Sequence, residues 1–575
     1  MPMKKVCLRC GVMFDCKHDE DFRSCHCTEI GLDAPMRNYL KENYSDCLCP
    51  DCLKAVQKSF NTGEINPCFR KRKIKKVLIA NRGEIAVRIM RSCREMGLTT
   101  IAIFSEADRT SHHVMYADEA YAIGPAPASE SYLCMEKIIE TALHCKADAI
   151  HPGYGFLSEN ADFVRRCEKA GIIFIGPKAE TMEAMGDKIR ARQCMKAAGV
   201  PVVPGTEQPL QSVDEALRIS DEIGYPVMLK ASMGGGGKGM RLIRSRDEVA
   251  EAYEMARSES LSSFGDDTVY IEKFVEEPHH IEFQILGDNY GNVVHLFERE
   301  CSVQRRNQKI VEESPSPFLT PGLRREMGEK AVAAAKAVDY IGAGTIEFLV
   351  DKHHRFFFLE MNTRLQVEHP VTEEVVGVDL VKEQICVAMG EPLYLRQEEL
   401  EQSGHAIECR ICAEDAANNF LPSPGIIRQI TRPNGIGVRV DSYVYEGYEI
   451  PGYYDPMVGK LIVWATSRQY AIERMRRVLY EYKITGIKTN LNYLRRIMYV
   501  PDFVRGNYNT QFIVKNARML VRNNGGNEEI ENMAIIAAYI DYLMNLEENR
   551  NPNSTDMRPI SRWREFGLQK GVLRI

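Results

Sequence analysis

Two rhythms of apolar and polar positions divide the chain. From about residue 75, short apolar runs alternate with stretches in helical register. Residues 77–80 (Val-Leu-Ile-Ala) read as a buried strand, and residues 83–95 as a helix with Ile85, Ile89 and Cys93 on one face. Further strands are predicted over 99–104, 147–151 and 172–175, with a helix over 160–170 between the last two. Such alternation implies βαβ units and a parallel sheet, with ligands bound at the carboxyl ends of the strands. The first strand–helix turn, Asn81-Arg82-Gly83-Glu84, has one glycine. It lacks the G-x-G-x-x-G fingerprint, which argues against a nicotinamide dinucleotide enzyme.

The pattern changes at Gly199-Val-Pro-Val-Val-Pro-Gly205, which reads as a boundary. A compact unit follows to about residue 274, with a glycine run between two strand-like segments. From there to about residue 516, short strands over 281–286, 293–298, 344–350 and 356–360 give way to helices. That texture suits an α+β unit with antiparallel pairing. The tail carries a predicted helix over 529–547, with Met533, Ile536, Ala537, Ile540, Leu543 and Met544 at helical spacing. This stripe is expected to pack on the core; docking to a partner is the alternative, with Trp563 and Phe566 as candidate anchors. The expected divisions are therefore 1–70, 71–200, 201–275, 276–516 and 517–575.

Composition narrows the class of protein. At 575 residues the chain has room for about four domains. Its 74 basic and 80 acidic side chains give a net charge of −6, which excludes a strongly basic nucleic-acid binder by bulk charge. The basic run 71–76 reads as a solvated lead-in to the first buried strand. No apolar run approaches the roughly 20 residues that cross a bilayer, and the amino terminus lacks the apolar core of a secretory signal. A cytoplasmic protein with no membrane and no nucleic-acid partner is expected.

The cysteines are unevenly spread: of 18, nine lie between Cys7 and Cys68. They read Cys7-x2-Cys10-x5-Cys16-x8-Cys25-His26-Cys27, then Cys47-x-Cys49-x2-Cys52. A long chain needs no disulfide staples in a reducing compartment, whereas paired C-x2-C elements suit tetrahedral zinc. Eight cysteines could hold two Zn²⁺, or one with spare thiols; a metal-free thiol cluster is the alternative. Cys68 falls outside the spacing. The arrangement also resembles a small cysteine-rich domain named for a Cys-Trp-Cys signature, with His26 in place of the tryptophan.

Three constellations carry chemistry. The first is Lys230-Ala-Ser-Met-Gly234-Gly235-Gly236-Gly237-Lys238-Gly239. Backbone N–H groups in such a run can approach an anion closely, and the flanking lysines point to phosphates, although the spacing is not that of a Walker loop. The second is Glu347 on one predicted strand with Glu360 and Asn362 on the next; their hard oxygens suit Mg²⁺. In the third, Arg364, Gln366 and Glu368 alternate at period two, so an extended backbone would aim all three the same way. A guanidinium and an amide can hold a small anion while a carboxylate takes its proton.

These segments, with Cys301-Ser-Val-Gln-Arg-Arg-Asn307-Gln-Lys309 and His151-Pro-Gly-Tyr154-Gly-Phe-Leu-Ser-Glu159, resemble the biotin carboxylases of the ATP-grasp superfamily over about residues 75–516. The resemblance implies a mixed α/β and α+β multidomain fold. A Rossmann-like domain comes first, then an ATP-grasp lid and body and a C-terminal catalytic domain. It implies ATP held by Lys188, Lys230, Gly234–Gly237, Glu272, Lys273 and His280, and Mg²⁺ (or Mn²⁺) held by Glu347 and Glu360 with Asn362 close by. Bicarbonate would lie on Lys309, Arg364, Gln366 and the Val367 backbone, with Glu368 as base and Arg410 steadying the biotin enolate.

Two positions depart from the common pattern. Asn307 stands where His is frequent, and Lys238 where many bacterial forms have Arg; both point weakly toward the propionyl-CoA type. No Ala-Met-Lys-Met-type biotinylation hairpin occurs. A separate biotin carboxyl carrier protein and carboxyltransferase subunits, within an acyl-CoA carboxylase, are therefore expected. A homodimer is implied by the resemblance alone. The rival readings are another bicarbonate-activating ATP-grasp ligase, such as a carbamoyl-phosphate synthetase-like enzyme, and a non-catalytic regulatory or scaffolding subunit.

Overall fold

The structure, a computed structural model, describes residues 73–206, 208–232 and 240–520. At the amino terminus it describes 3–7, 13–16, 30–32, 36–37, 39–40, 44 and 47–61, and in the tail 533 and 535–543. The glycines Gly234–Gly237, the cysteines Cys10, Cys25 and Cys27, and Met544, Trp563 and Phe566 lie outside the described residues.

In the cysteine-rich head, β1 (Met3–Val6) and β2 (Met13–Cys16) pair antiparallel, and a helix spans Pro50–Asn61. Cys7, Leu32, Met36, Leu48, Cys49, Leu53 and Val56 form its small core.

The next unit is the expected parallel sheet. Strands β3 (Lys76–Ile79), β4 (Thr99–Ser105), β5 (Glu119–Gly124), β6 (Ala149–His151) and β7 (Ile173–Phe174) run in the order β5-β4-β3-β6-β7, all parallel. Val77, Leu78 and Ile79 are fully buried because helices cover both faces of the sheet, so this strand reads as a continuous apolar run. The helix Gly83–Glu95 has the predicted bounds. Strand β5 escaped the sequence reading: it is an edge strand, alternately exposed, and of its short Ala-Tyr-Ala-Ile stretch only Ile123 is buried.

Strands β8 (Val227–Ala231), β9 (Met240–Ile243) and β10 (Val269–Lys273) form a small antiparallel sheet in the order β10-β8-β9. The helices Val213–Ile223 and Val249–Phe264 share its core. The glycine run connects β8 to β9.

The largest sheet has eight strands. β11 (His279–Gly287), β12 (Val293–Arg305), β13 (Gln308–Ser314), β14 (Gly342–Val350), β15 (Phe356–Asn362) and β16 (His405–Cys412) are joined by strands Val438–Ser442 and Met457–Ala465. The order is β15-β14-β11-β12-β13-β16, then Met457–Ala465 and Val438–Ser442, antiparallel throughout. The expected strands are therefore present. The last two come after the helical stretch, so one sheet draws on most of the chain from residue 279 to 465. Register shifts interrupt β11 near Phe283 and β12 at Val303, and Phe297 in β12 has φ +63°. Irregularities of this kind bend and twist a sheet.

Residues 521–575 form a separate unit. Within it residues 535–543 are helical, as predicted, and Ile536, Ile540 and Leu543 are exposed.

Candidate active site

One rung of the large sheet assembles most of the charge. Glu360 on β15 is directly opposite Glu347 on β14, Glu347 opposite Glu282 on β11, and Glu282 opposite Arg299 on β12. Directly opposed residues project to the same face, so three carboxylates and a guanidinium share one surface. Arg299 is fully buried and spends its donors on Glu282 (2.6 Å), Gln284 (2.8 Å), Thr372 (3.0 Å) and Thr345 (3.1 Å).

Lys309 on β13 completes the cluster. Its ammonium donates to Glu282 Oε2 at 2.5 Å, Glu347 Oε1 at 2.8 Å and Glu368 Oε1 at 2.7 Å. In a flat sheet β13 and β14 would stand about 14 Å apart, three strand spacings, beyond the reach of one side chain. The sheet is therefore curled, and these groups line its concave face. Burial works against the Lys309 charge, but Glu282, Glu347 and Glu368 outweigh it and hold the amine protonated well above its ordinary range. Burial likewise favours neutral Glu368, yet Lys309, Arg410 and Arg299 hold that carboxyl well below its ordinary range. At neutral pH Glu368 is an ionised carboxylate clamped between two cations.

The other oxygen of Glu368 accepts from Arg410 Nη2 at 2.8 Å, and Arg410 Nε donates to Glu312 at 2.6 Å. The segment after β15 places Arg364 against Gln366 (2.9 Å) and Asn362 (3.1 Å), while Gln366 donates to Glu347 at 3.0 Å. The Val367 carbonyl is taken by the buried Lys460 ammonium at 2.7 Å, which fixes the peptide just before Glu368. The period-two reading of Arg364, Gln366 and Glu368 thus brings together groups that do share one cleft, although residues 363–368 are turn and coil rather than a strand.

Glu347 and Glu360 fit a divalent cation. His280 Nε2 lies 2.7 Å from Glu347 Oε2, and Asn362 Nδ2 donates to Glu347 at 2.8 Å. Burial raises Glu347, but Lys309 and His280 more than reverse this and keep it ionised well below its usual value. Glu360 is pushed up by burial and by Glu347. A carboxylate raised by its like-charged neighbour, beside an amide oxygen, is a hard-oxygen donor set short of positive charge.

On the lid side, Lys230 on β8 forms an ion pair with Glu272 on β10, and Arg192 reaches the same carboxylate at 3.1 Å. Lys188 is half-buried, and the desolvation lowers its pKa against the opposing pull of Glu360. Lys273 differs: its ammonium is spent on the carbonyls of Gly224 (2.8 Å) and Tyr225 (3.0 Å). A cleft of about 870 Å³ joins His280, Lys309, Glu347, Glu360, Arg364 and Arg410 to an aromatic end that includes Tyr154, Tyr453 and Tyr454.

Four participants were missed in the sequence: Glu282, Arg299, Glu159 and Lys460. Glu159, in the loop after β6, accepts from Arg364 Nε at 2.9 Å and from the Thr363 N–H at 3.1 Å, so the parallel sheet steadies the catalytic segment. For Glu282 a signal existed: His280, Glu282 and Gln284 alternate with Ile281, Phe283 and Ile285 on one strand, and all are buried. A polar period of two inside an otherwise apolar strand marks a face turned to a site.

In the head, the sulfurs of Cys7, Cys49 and Cys52 lie within 4.8 Å of one another. The Cys49 N–H donates to Cys7 Sγ at 3.2 Å. Cys16 and Cys47 bring their sulfurs to 3.9 Å.

A parallel sheet, a small antiparallel lid bearing a glycine run, and a curled sheet carrying paired carboxylates define an ATP-grasp ligase. Family models match accordingly: "Biotin carboxylase, N-terminal domain" over 73–182, "Carbamoyl-phosphate synthase L chain, ATP binding domain" over 187–396, and "Biotin carboxylase C-terminal domain" over 408–515. The head matches "Cysteine-rich CWC" over 7–54. The chain is 56% identical over 441 residues to a biotin carboxylase of Nostoc sp., covering 77% of this chain and 99% of the relative. It is 56% identical over 438 residues to a pyruvate carboxylase subunit of Methanothermobacter thermautotrophicus, covering 76% and 89%. A Campylobacter jejuni biotin carboxylase–β,γ-ATP complex superimposes with a TM-score of 0.76 at 50% identity, over 77% of this chain and 99% of that one. The Hydrogenobacter thermophilus 2-oxoglutarate carboxylase biotin carboxylase domain dimer, solved with MgADP, ADP and bicarbonate, gives 0.75 at 51% identity, over 78% and 98%. The chain belongs to the biotin carboxylase family. It is an ATP-dependent carboxylase, and the carbamoyl-phosphate synthase match covers only the ATP-binding part that the two kinds of ligase share.

Proposed function

We propose that this chain carboxylates biotin carried on a separate protein, using ATP and bicarbonate. The observation that carries the reading is the Glu368 carboxylate, ionised and held between Lys309 and Arg410 at 2.7 and 2.8 Å. A base prepared in this way suits bicarbonate, whose remaining proton must leave before it can attack phosphorus.

Bicarbonate rests on Lys309, Arg364, Gln366 and the Val367 backbone, and Glu368 takes its proton. The bicarbonate oxygen attacks the γ-phosphorus of ATP, and the bond to the bridging oxygen breaks to give carboxyphosphate and ADP. Lys188, Lys230, Gly234–Gly237, Glu272, Lys273 and His280 orient the nucleotide. Glu347 and Glu360, with Asn362 beside them, would hold Mg²⁺ or Mn²⁺, which when bound would offset charge on the phosphoryl oxygens. Carboxyphosphate separates into CO₂ and phosphate; the phosphate takes the ureido proton of biotin, and the resulting enolate, steadied by Arg410, captures the CO₂. Positioning and electrostatics supply most of the acceleration. Closure of the β8–β10 unit excludes water from the labile intermediate.

The test is ATP cleavage with free biotin as the probe. ADP release should require bicarbonate and rise several-fold on adding biotin. Bicarbonate-dependent cleavage that biotin leaves unchanged would overturn this reading in favour of another bicarbonate-activating ligase. The acceptor is met only after carboxybiotin leaves this chain. Relatives carrying the same catalytic chain are accordingly named for pyruvate and for methylcrotonoyl-CoA. The acyl-CoA expected from the sequence, the biotin carrier, the carboxyltransferase and a homodimeric state belong to this proposal, in a cytoplasmic setting. No helix among the described residues is long and apolar enough to cross a membrane.

The head we read as a zinc module in which Cys7, Cys49 and Cys52 supply three thiolates. The Cys49 amide on Cys7 Sγ stabilises a thiolate there. The spacing brings in Cys10, Cys16, Cys25, Cys27 and Cys47 as the remaining candidate ligands. Full-length protein purified under reduction should retain at least one equivalent of zinc, and Cys49→Ser with Cys52→Ser should release it without loss of ATP cleavage. Less than about half an equivalent in the reduced protein would favour the metal-free thiol cluster.

A further inference from the structure

Beside Arg410 lies a pair of charges that the reaction above does not use. Glu312 on β13 and Glu408 on β16 are directly opposite one another in register, and both are fully buried. Their side chains therefore project to the same face, with Cβ atoms about 5 Å apart. Of the four carboxylate oxygens, Glu312 Oε1 takes the Arg410 Nε–H at 2.6 Å. Among the described residues, Glu312 Oε2 and both oxygens of Glu408 have no hydrogen-bond partner. Two adjacent ionised carboxylates without donors are strongly disfavoured in the interior. A single proton removes the repulsion and occupies one of the vacant lone pairs.

The surrounding charges do not supply an alternative. Lys460, on the neighbouring strand, gives its ammonium to the Val367 carbonyl at 2.7 Å and stands 3.3 Å from Glu84. Lys309 is committed to Glu282, Glu347 and Glu368, and Arg410 is shared between Glu312 and Glu368. Glu368 adds negative charge; among the described residues Tyr154 and Cys301, on the same side as the pair, are neutral, each raised by burial, and Cys409 lies on the opposite face of β16. Burial pushes the Glu312 carboxyl up to about 7 against the pull of Arg410. Burial and Glu312 push Glu408 well above the ordinary range against Lys460.

We propose that Glu312 and Glu408 hold one proton between them in the resting enzyme, and that this proton sets how much positive charge Arg410 offers to the biotin enolate. They are positioning residues acting through Arg410. Once Glu368 has taken the bicarbonate proton, Arg410 is opposed only by this pair. With one shared proton the pair carries a single negative charge and Arg410 balances it; the enolate oxygen then meets a guanidinium that is not over-neutralised. Loss of the proton at higher pH adds a second negative charge beside Arg410 and weakens its hold on the enolate. The functional consequence rests on the biotin carboxylase reading, whereas the shared proton stands on the geometry.

Two measurements on the full-length enzyme test this. In the infrared, wild type near neutral pH should show the carbonyl stretch of a buried protonated carboxylic acid, and Glu408→Gln should lack it. In wild type, kcat/KM for biotin should fall on the alkaline side as the pair loses its proton. In Glu408→Gln, Glu312 loses the carboxylate directly opposite it and keeps Arg410, so it ionises at lower pH and that limb should move by about one pH unit or more. Bicarbonate-dependent ATP cleavage without biotin should keep its wild-type profile in the same variant. Absence of the infrared band from wild type, or superimposable biotin profiles, overturns the proposal. Glu312→Gln, which removes the other member of the pair, should also lack the band, so the test survives a Glu408→Gln protein that does not fold. A wild-type enzyme with the band but no biotin-stimulated turnover would refute the biotin reading and leave the shared proton in place.

Discussion

Glu368→Gln is expected to lower bicarbonate-dependent ATP cleavage by about 10²- to 10⁴-fold, the usual contribution of a positioned general base, with ATP affinity little changed. The substitution keeps the volume of a fully buried side chain and an acceptor oxygen for one of the two cations, Arg410 or Lys309. It removes the carboxylate proposed to take the bicarbonate proton. The pH dependence follows from the sign of the shift. Glu368 is held well below the ordinary carboxylate range, so its ionised form contributes stability above about pH 4.3, lost as pH falls toward the folded value. The amide that replaces it cannot titrate, and the acid limb of unfolding should flatten in the variant. Single-turnover ATP cleavage and urea denaturation across pH check the two parts. Wild-type turnover would remove Glu368 from its role.

Lys309→Met should be more damaging to the fold than to nucleotide binding. It leaves Glu282, Glu347 and Glu368 converging on a buried point with no ammonium among them. Removing one partner of a buried charge cluster costs about 3–5 kcal/mol, and the loss of the bicarbonate cation should reduce turnover by at least about 10²-fold. Here the pH response should reverse. In wild type, Glu347 and Glu368 are depressed, so stability declines as pH falls through the acid range. In the variant their like charges and burial raise them instead. The carboxylates are then most costly when ionised, and stability should increase as pH is lowered from about 8 to about 6. Denaturant midpoints at the two pH values decide it; a variant midpoint that does not rise from about pH 8 to about pH 6 would show that Lys309 does not neutralise the cluster.

The parts of this site that were legible in the chain are the contiguous ones. Glu360 to Glu368 lie within nine consecutive residues, so their spacing alone brings them to one edge of a sheet. The first unit was legible for a different reason: its central strand is covered on both sides and so appears as an unbroken apolar run. Glu282, Arg299 and Lys460 were not readable in the same way. Glu282 meets Lys309 across 27 residues, and Lys460 meets Val367 across 93. Pairings of that length depend on strand order, which alternation of apolar and polar residues does not specify. The edge strand β5 failed for a local reason, since a half-exposed strand with small, weakly apolar alanines has little marker. In the head the spacing of cysteines nominated eight ligands, and the convergence of Cys7, Cys49 and Cys52 shows which three meet across a loop of more than forty residues.

The curl of the eight-stranded sheet carries a consequence for how such an enzyme can change. Its reactive groups are rivets in a single hydrogen-bonded fabric, each rung shared by neighbouring strands. Shifting one rivet drags the others, so the floor of the cleft behaves as a rigid die that stamps out one product. Novelty must then enter at the margins: in what is brought to the die, and in what carries the product away.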